Sequence, residues 1–316
     1  MPLPTDPKAL AIGKDLVQAL DDLNGVHPGY RAAHAKGIMF SGVFTPSKEA
    51  ASLTRALHAQ QASTPVTVRF SDSAGFPTVA DNDPIFASPR GMAIRFHLAE
   101  HVHTDVIAHS TDGFPTKTAE EFLVFLRALK ASGPSVPKPT PFEAFLGAHP
   151  RALQFVQAPK PFPSSFGRES FYAVNAFKFS NREGAGKFGR YRISPEAGGD
   201  YLDAPTAAAK GPNFLFEEMA ARVAAGPVKF HIRVQLAAAG DVVDDASTHW
   251  PDDRPQLAFG TIAITKHVVD DQSEQRQIIF DPVPRTDGIE SSGDPLLEPR
   301  ATVYLLSGRR RRAAGK

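Results

Sequence analysis

Four segments carry the side chains in this chain that could do chemistry. Arg31-Ala-Ala-His34-Ala-Lys-Gly37 sets an imidazole among small residues. A neutral imidazole can take a proton from one substrate atom and return it to another. Thr64-Pro-Val-Thr-Val-Arg69-Phe70-Ser71 and Ser88-Pro-Arg90-Gly91-Met-Ala-Ile-Arg-Phe96 place guanidinium groups inside extended runs. Arg300-Ala-Thr-Val-Tyr304 puts a guanidinium and a phenol at i, i+4, on one face of a helix. Each segment also has a plain reading. His34 fits a hydrogen-bonded core histidine, Arg69 an ion pair with Asp72, and Arg300 with Tyr304 a surface cation–aromatic pair. His97, His101, His103 and His109 lie close in sequence, but no further ligand stands at zinc-binding spacing.

Other chemistries are excluded by what is missing. The chain has no cysteine, so it can form neither disulfides, iron–sulfur clusters nor thiolate-ligated metal sites. It contains no GxGxxG after a strand, no Walker A loop, no HExxH and no GxSxG. Lys and Arg number 35 against 34 Asp and Glu in 316 residues, which argues against a general electrostatic grip on nucleic acid or anionic membranes. No run of about 18 apolar residues predicts a membrane span. The first twenty residues lack a basic region followed by an apolar one, so the expected location is cytoplasmic. Phenylalanine is frequent at 23, against 5 tyrosines and 1 tryptophan. That content suits either a large apolar cavity or simply a phenylalanine-rich core.

The elements that must position these residues follow from periodicity. Leu10, Ile12, Leu16, Val17, Leu20 and Leu23 predict a helix over 7–23. Residues 31–44 read as extended after a turn-rich entry. Ser47 caps a predicted helix of about three turns. Residues 64–73, 91–98 and 103–110 predict strands, with a loop through Arg90. Thr118, with Glu121 three residues on, predicts a capped helix stopping near Gly133. The proline-rich stretch 134–168 reads as a wrapped connection with two short helical pieces. Strands return at 170–181, 189–194, 228–237 and 256–265, with a helix near Asn213. The last segment starts helical and ends in a basic tail. Together these predict an α+β chain: an antiparallel eight-stranded β-barrel with surrounding helices. It is read as one domain over 1–316, with a core over 25–294 and a C-terminal helix over 295–316.

In this order, RxxHAKG, PVxVRFS, PRGMAIRF and RxxxY before a basic run resemble the catalase family. THWP at 248–251, FGTIAIT, and IIFDPxxxxDGIE at 278–290 fit the later part of the same pattern. The resemblance covers roughly 25–311 and is strongest to the small catalase-related haem peroxidases. It implies haem b, that is ferric iron protoporphyrin IX, sandwiched inside the barrel. Tyr304 matches the family's proximal iron ligand, and Arg300 would lower the phenol's pKa. His34 matches the distal histidine and Ser71 a hydroxyl that fixes its tautomer. Arg31, Arg69 and Arg311 match arginines near the haem propionates, and Phe122 an aromatic over the distal face.

Two departures stand out. Where the family carries a distal asparagine, this chain has Ala108-His109-Ser110-Thr111-Asp112. Ser110 falls at that position, with His109 or Thr111 as neighbours able to compensate. A proximal histidine is replaced by Gly189 or Arg190. Both changes, and a length that implies a shorter access channel, point to peroxidase turnover with an external donor. The implied partners are a peroxide and a small organic electron donor, with no nucleic acid and no membrane. A homodimer is compatible with the sequence. Competing readings are a hydroperoxide isomerase of the allene oxide synthase type and a non-enzymatic haem-binding protein. Ala33 lacks the hydroxyl looked for in the isomerases.

Overall fold

The computed structural model describes residue 4 and residues 6–314, so both ends of the expected 1–316 unit lie outside the described residues. Alternating β-branched and aromatic runs form β1 (Gly37–Pro46), β2 (Thr64–Ser71), β3 (Gly91–Ala99) and β4 (Val102–His109). They are followed by β5 (Phe171–Tyr172), β6 (Gly186–Pro195), β7 (Val228–Leu236) and β8 (Gln256–His267). Antiparallel pairing runs β7-β8-β1-β2-β3-β4-β5-β6, and β6 pairs back onto β7. The sheet therefore closes into the expected eight-stranded barrel. Closure removes free edges. Register shifts at Ser41/Gly42 and Ile232/Arg233 add the local curvature that closure needs.

Side-chain alternation gives this wall two different faces. Val66, Val68 and Phe70 of β2, Met92, Ile94 and Phe96 of β3, and Val106 and Ala108 of β4 form part of the main buried core. Phe40, Phe44, Phe171, Phe230 and Phe259 join them, each fully buried. The rings interlock: Phe44 meets Phe96 edge-on at 5.1 Å, and Phe70 stacks on Phe166 at 5.3 Å. The phenylalanines thus fill the barrel interior; they do not line a cavity there. Each such ring contributes about 1.5–3 kcal/mol through burial.

Helices cover the other face. α1 (Pro7–Asn24) starts at Asp6, whose carboxylate accepts from the Lys8 amide at 2.9 Å, and ends at Gly25 with φ +79°. α2 (Ala119–Lys130) has the expected capping box between Thr118 and Glu121. α3 (Phe214–Ala225) packs against β8, and α4 (Asp271–Gln277) against β1. α5 (Leu297–Ala313) packs along α1, where a Cβ on Gly13 would lie 2.4 Å from Thr302 Cγ2. Only glycine allows that approach.

Three local expectations need correction. The 170–181 strand is split: Phe171–Tyr172 joins the barrel, while Phe177–Ser180 pairs with β6 and with Ile289–Ser291. The helix after Ser47 is broken into Lys48–Leu53 and Leu57–Gln60, with Thr54 Oγ1 donating to the Gly288 carbonyl at 2.6 Å between them. The basic tail is the last turns of α5, with Arg311 buried and Arg310 paired to Asp21.

Candidate active site

One row of residues crosses five strands at the same end of the wall. Gly37 pairs with Ser71, Ser71 with Gly91, Gly91 with His109, and His109 with Tyr172. Directly paired residues share a face. This row lies one step out of phase with Phe70, Met92 and Ala108, so it faces outward, toward the helices. The site therefore sits between barrel and helices, and the expectation of a group held inside the barrel is corrected: the phenylalanine plug occupies that space.

His34 enters this row from the loop before β1. Its φ of +56° is left-handed, an uncommon state for a residue with a side chain. The loop is tied down by the His34 and Ala35 amides, which donate to Ser73 and Ala74 carbonyls at 2.9 and 2.8 Å. The ring's Nδ1 lies 3.1 Å from Ser71 Oγ. A Cβ on Gly91 would lie 2.6 Å from Ser71 Oγ and 3.0 Å from His34 Nδ1, so the imidazole occupies the space glycine leaves. Burial pushes the His34 pKa down to about 4, and Arg69 adds to the fall; a hydrogen bond to the Asp72 carbonyl partly opposes it. His34 is thus a neutral base at pH 7. As whole residues His34, His109, Arg300 and Tyr304 are each half-buried. None of the four belongs to the buried core.

Facing the wall is α5. Arg310 holds Asp21 of α1 with Nη2 to Oδ1 at 2.8 Å. Gly308 lets Ile279 approach to 2.5 Å of where a Cβ would stand. Ser307 Oγ accepts from the Ala32 amide at 3.3 Å, tying the helix to the His34 loop. Tyr304 lies one turn before this contact, and its hydroxyl takes no protein hydrogen bond among the described residues. Arg300 donates to Asn175 Oδ1, and Asn175 in turn donates to Asp294 at 2.7 Å. Arg300 is therefore held by a carboxamide, and the surface-pair reading does not describe it.

Three arginines converge beside this space. Arg69 donates to Gln275 Oε1 at 2.8 Å and to the His34 carbonyl at 2.9 Å, not to Asp72. Arg311 donates to the Arg276 carbonyl at 3.1 Å, and Arg31 reaches the Ile278 carbonyl at 3.4 Å. Burial lowers all three guanidinium pKa values. It brings Arg69 to about 9 and Arg311 to about 10, with Arg311 also acting on Arg69, and Arg69 and Arg311 both acting on Arg31. Mutual depression among buried cations means that the cluster is short of negative charge. Asp271 opposes it, with Asp72 also acting on Arg69, and the Asp271 oxygens already accept from the Met39 amide and Gln275.

Other expected residues fall differently. Ser110 Oγ accepts from the Arg90 amide at 3.0 Å, so that hydroxyl is committed to the backbone. The side chain that β4 directs outward beside His34 is His109, and placing Ser110 there is corrected. The signal was present in the sequence: apolar Val106 and Ala108 mark the inner phase, which makes 109 the outer one. Phe122 sits on α2 against Phe114 at 4.9 Å, in a cluster that includes Val303 of α5. Arg190 lies over Trp250 at 4.3 Å and donates to the Thr248 carbonyl at 2.7 Å, so it serves the 245–250 loop. His97 bonds Thr67 at 2.9 Å and His101 is exposed at a turn, both away from His109.

The donor set fits a haem. Tyr304 has no hydrogen-bond partner among the described residues and His34 is neutral, while half-buried Arg31 and buried Arg69 and Arg311 donate to carbonyl and carboxamide oxygens and would gain from the anions that two propionates supply.

Comparison with known proteins agrees. The sequence model described as catalase matches residues 15–315. The chain is 35% identical over 294 residues to a Mycolicibacterium paratuberculosis protein named catalase-related peroxidase, covering 92% of each. It is 30% identical over 297 residues to a Synechococcus elongatus protein of the same name, covering 92% of this chain and 86% of that one. A solved fungal catalase superposes with a TM-score of 0.79 at 21% identity; this chain spans 62% of its length.

Proposed function

The chain belongs to the catalase family, and from that premise we propose that it is a haem-dependent peroxidase. In this reading it holds haem b between the barrel wall and α5. It reduces hydrogen peroxide or organic hydroperoxides with electrons from a small organic donor, and it has weak or no catalase activity. The observation that carries the reading is the cluster of Arg31, Arg69 and Arg311, held by carbonyl and carboxamide oxygens, together with half-buried neutral His34 and half-buried Tyr304. Two close relatives named catalase-related peroxidase support the peroxidase assignment.

Tyr304 would hold the haem iron through its oxygen, with Arg300 one helical turn away on the same helix. Arg31, Arg69 and Arg311 would pair with the propionates and fix the ring's orientation. When bound, the haem supplies a metal that accepts oxidising equivalents from the peroxide. The protein's own part is proton handling. With Nδ1 engaged by Ser71, His34 Nε2 is the free nitrogen. It takes the proton from one peroxide oxygen and returns it to the other, so the departing group leaves as water or an alcohol. The donor then delivers two electrons, and two protons complete the reduction. The family asparagine is absent from β4, which supports weak dismutation. Among the described residues no helix is long and apolar enough to cross a membrane, and a cytoplasmic location belongs to the same reading.

The test is the spectrum of purified, haem-loaded protein, followed by peroxide with and without an aromatic donor. Expected are a five-coordinate high-spin ferric haem with a phenolate charge-transfer band, donor oxidation and little oxygen release. Tyr304→Phe should abolish or remodel that spectrum. Rapid oxygen evolution with no donor oxidised would overturn the reading, as would consumption of a fatty-acid hydroperoxide with no donor present.

A further inference from the structure

The wall presents a second imidazole to the same space. His109 is the last residue of β4 and pairs with Gly91. Paired Cβ positions lie about 5 Å apart. The missing Gly91 Cβ would stand 3.0 Å from His34 Nδ1, so His109 springs from beside the His34 ring with only a glycine between them. No bulky side chain separates the two. The His109 ring is fixed by its own strand end: Nδ1 accepts from the Thr111 amide at 3.3 Å. A neutral imidazole that accepts at Nδ1 carries its proton on Nε2. The protein also keeps it neutral. Burial pushes the His109 pKa down to about 3, with Arg300 and His34 contributing.

The two histidines are therefore complementary. His34 offers a free acceptor nitrogen, and His109 offers a fixed N–H. We propose that His109 is a catalytic residue that donates a hydrogen bond from Nε2 to the bound peroxide, in place of the carboxamide the family pattern carries there. An imidazole N–H is one donor on a rigid ring, whereas a carboxamide offers two donors on a rotatable one. A peroxide held by His34 and His109 meets one acceptor and one donor. This proposal rests on the peroxidase reading above.

The test reads ligand binding as well as turnover. Fluoride binds ferric haem as a hydrogen-bond acceptor and undergoes no redox chemistry, so its affinity reports the donors around the open iron position. Haem-loaded wild type, His109→Phe and His109→Gln are titrated with sodium fluoride, and the rate of reaction with hydrogen peroxide is measured alongside. His109→Phe should weaken fluoride binding about tenfold or more, the loss of one hydrogen bond to an anion, and slow the peroxide reaction by a similar factor. His109→Gln, which restores an N–H donor, should recover most of both. Unchanged fluoride affinity in both variants, with haem uptake and the phenolate band intact, overturns the role of His109 alone. A wild-type protein that takes up no haem overturns the underlying reading as well. If His109→Phe does not fold, His109→Gln still decides: affinity near that of wild type beside a weakened His109→Leu supports the donor, and equal affinities overturn it.

Discussion

The same four strands serve two environments. Toward the barrel axis, β1 to β4 present Phe40, Phe70, Ile94 and Ala108, packed ring against ring with essentially no surface left. Toward the helices they present Arg69, Ser71 and His109, with glycines at 37 and 91. A Cβ at Gly37 would stand 2.1 Å from Arg69 Nη2, so the outer face is built around its polar groups, as the inner one is around its rings. The difference teaches a division of labour. The inner face holds the wall rigid, and the outer face can then carry buried cations and neutral imidazoles that would be costly in a softer setting.

That contrast can be broken from either side. The largest expected effect is on the outer face: His34→Ala should slow the peroxide reaction by about 10²–10⁴-fold, the usual contribution of a positioned acid–base group. Its unfolding midpoint should stay close to that of wild type. A rate within a few-fold of wild type under stopped-flow would remove His34 from the mechanism. The inner face should show the opposite pattern. Phe70→Ala should cost about 3–5 kcal/mol of stability in urea unfolding, while the folded fraction keeps its rate. A large rate loss in fully folded protein would mean that the two faces are not separable.

A third test sharpens the comparison through pH. His58 sits among Phe44, Phe96 and Phe259, tilted against Phe96 with ring centroids 4.7 Å apart, and its Nδ1 has no partner among the described residues. Burial lowers its pKa from 6.5 to about 4. The unfolded chain therefore binds this proton more readily. The contribution is full above about 6.5 and is lost progressively as pH falls to about 4, a span of about 3 kcal/mol. In haem-free protein His58→Leu should flatten the acid limb of stability by about that amount. An unchanged limb would place the acid sensitivity entirely on the outer face. The smallest effect is expected at Ser110→Ala. Removing the acceptor for the Arg90 amide should cost about 1 kcal/mol and leave the peroxide rate within about twofold. A rate loss rivalling that of the His109 variants would return Ser110 to the chemistry.

Much of the wall was legible because its strands alternate cleanly; 64–71, 91–99, 228–236 and 256–267 emerge near their expected bounds. Composition could not say whether phenylalanine lined a space or filled one, since that depends on closure of the barrel. The 170–181 run has uniform β character, yet the chain leaves the wall between Tyr172 and Phe177 and lends Asn175 to Arg300. No local signal announces such a tertiary use. The arginine run after Gly308 reads as solvated because its partners, Asp21 and the 276–278 carbonyls, lie far away in sequence. Motif spacing favours Ser110 at the outward position, whereas the strand's own phase favours His109.

Tyr304 follows the last barrel strand in the chain, and the α1 surface that braces its helix precedes the first. On a ribosome the wall, with His34, Ser71 and His109, emerges complete before the phenol is synthesised. If the proposed reading holds, capture of a haem that uses both halves waits until α5 docks. A nascent chain arrested before residue 297 would hold a barrel and one half of a clasp.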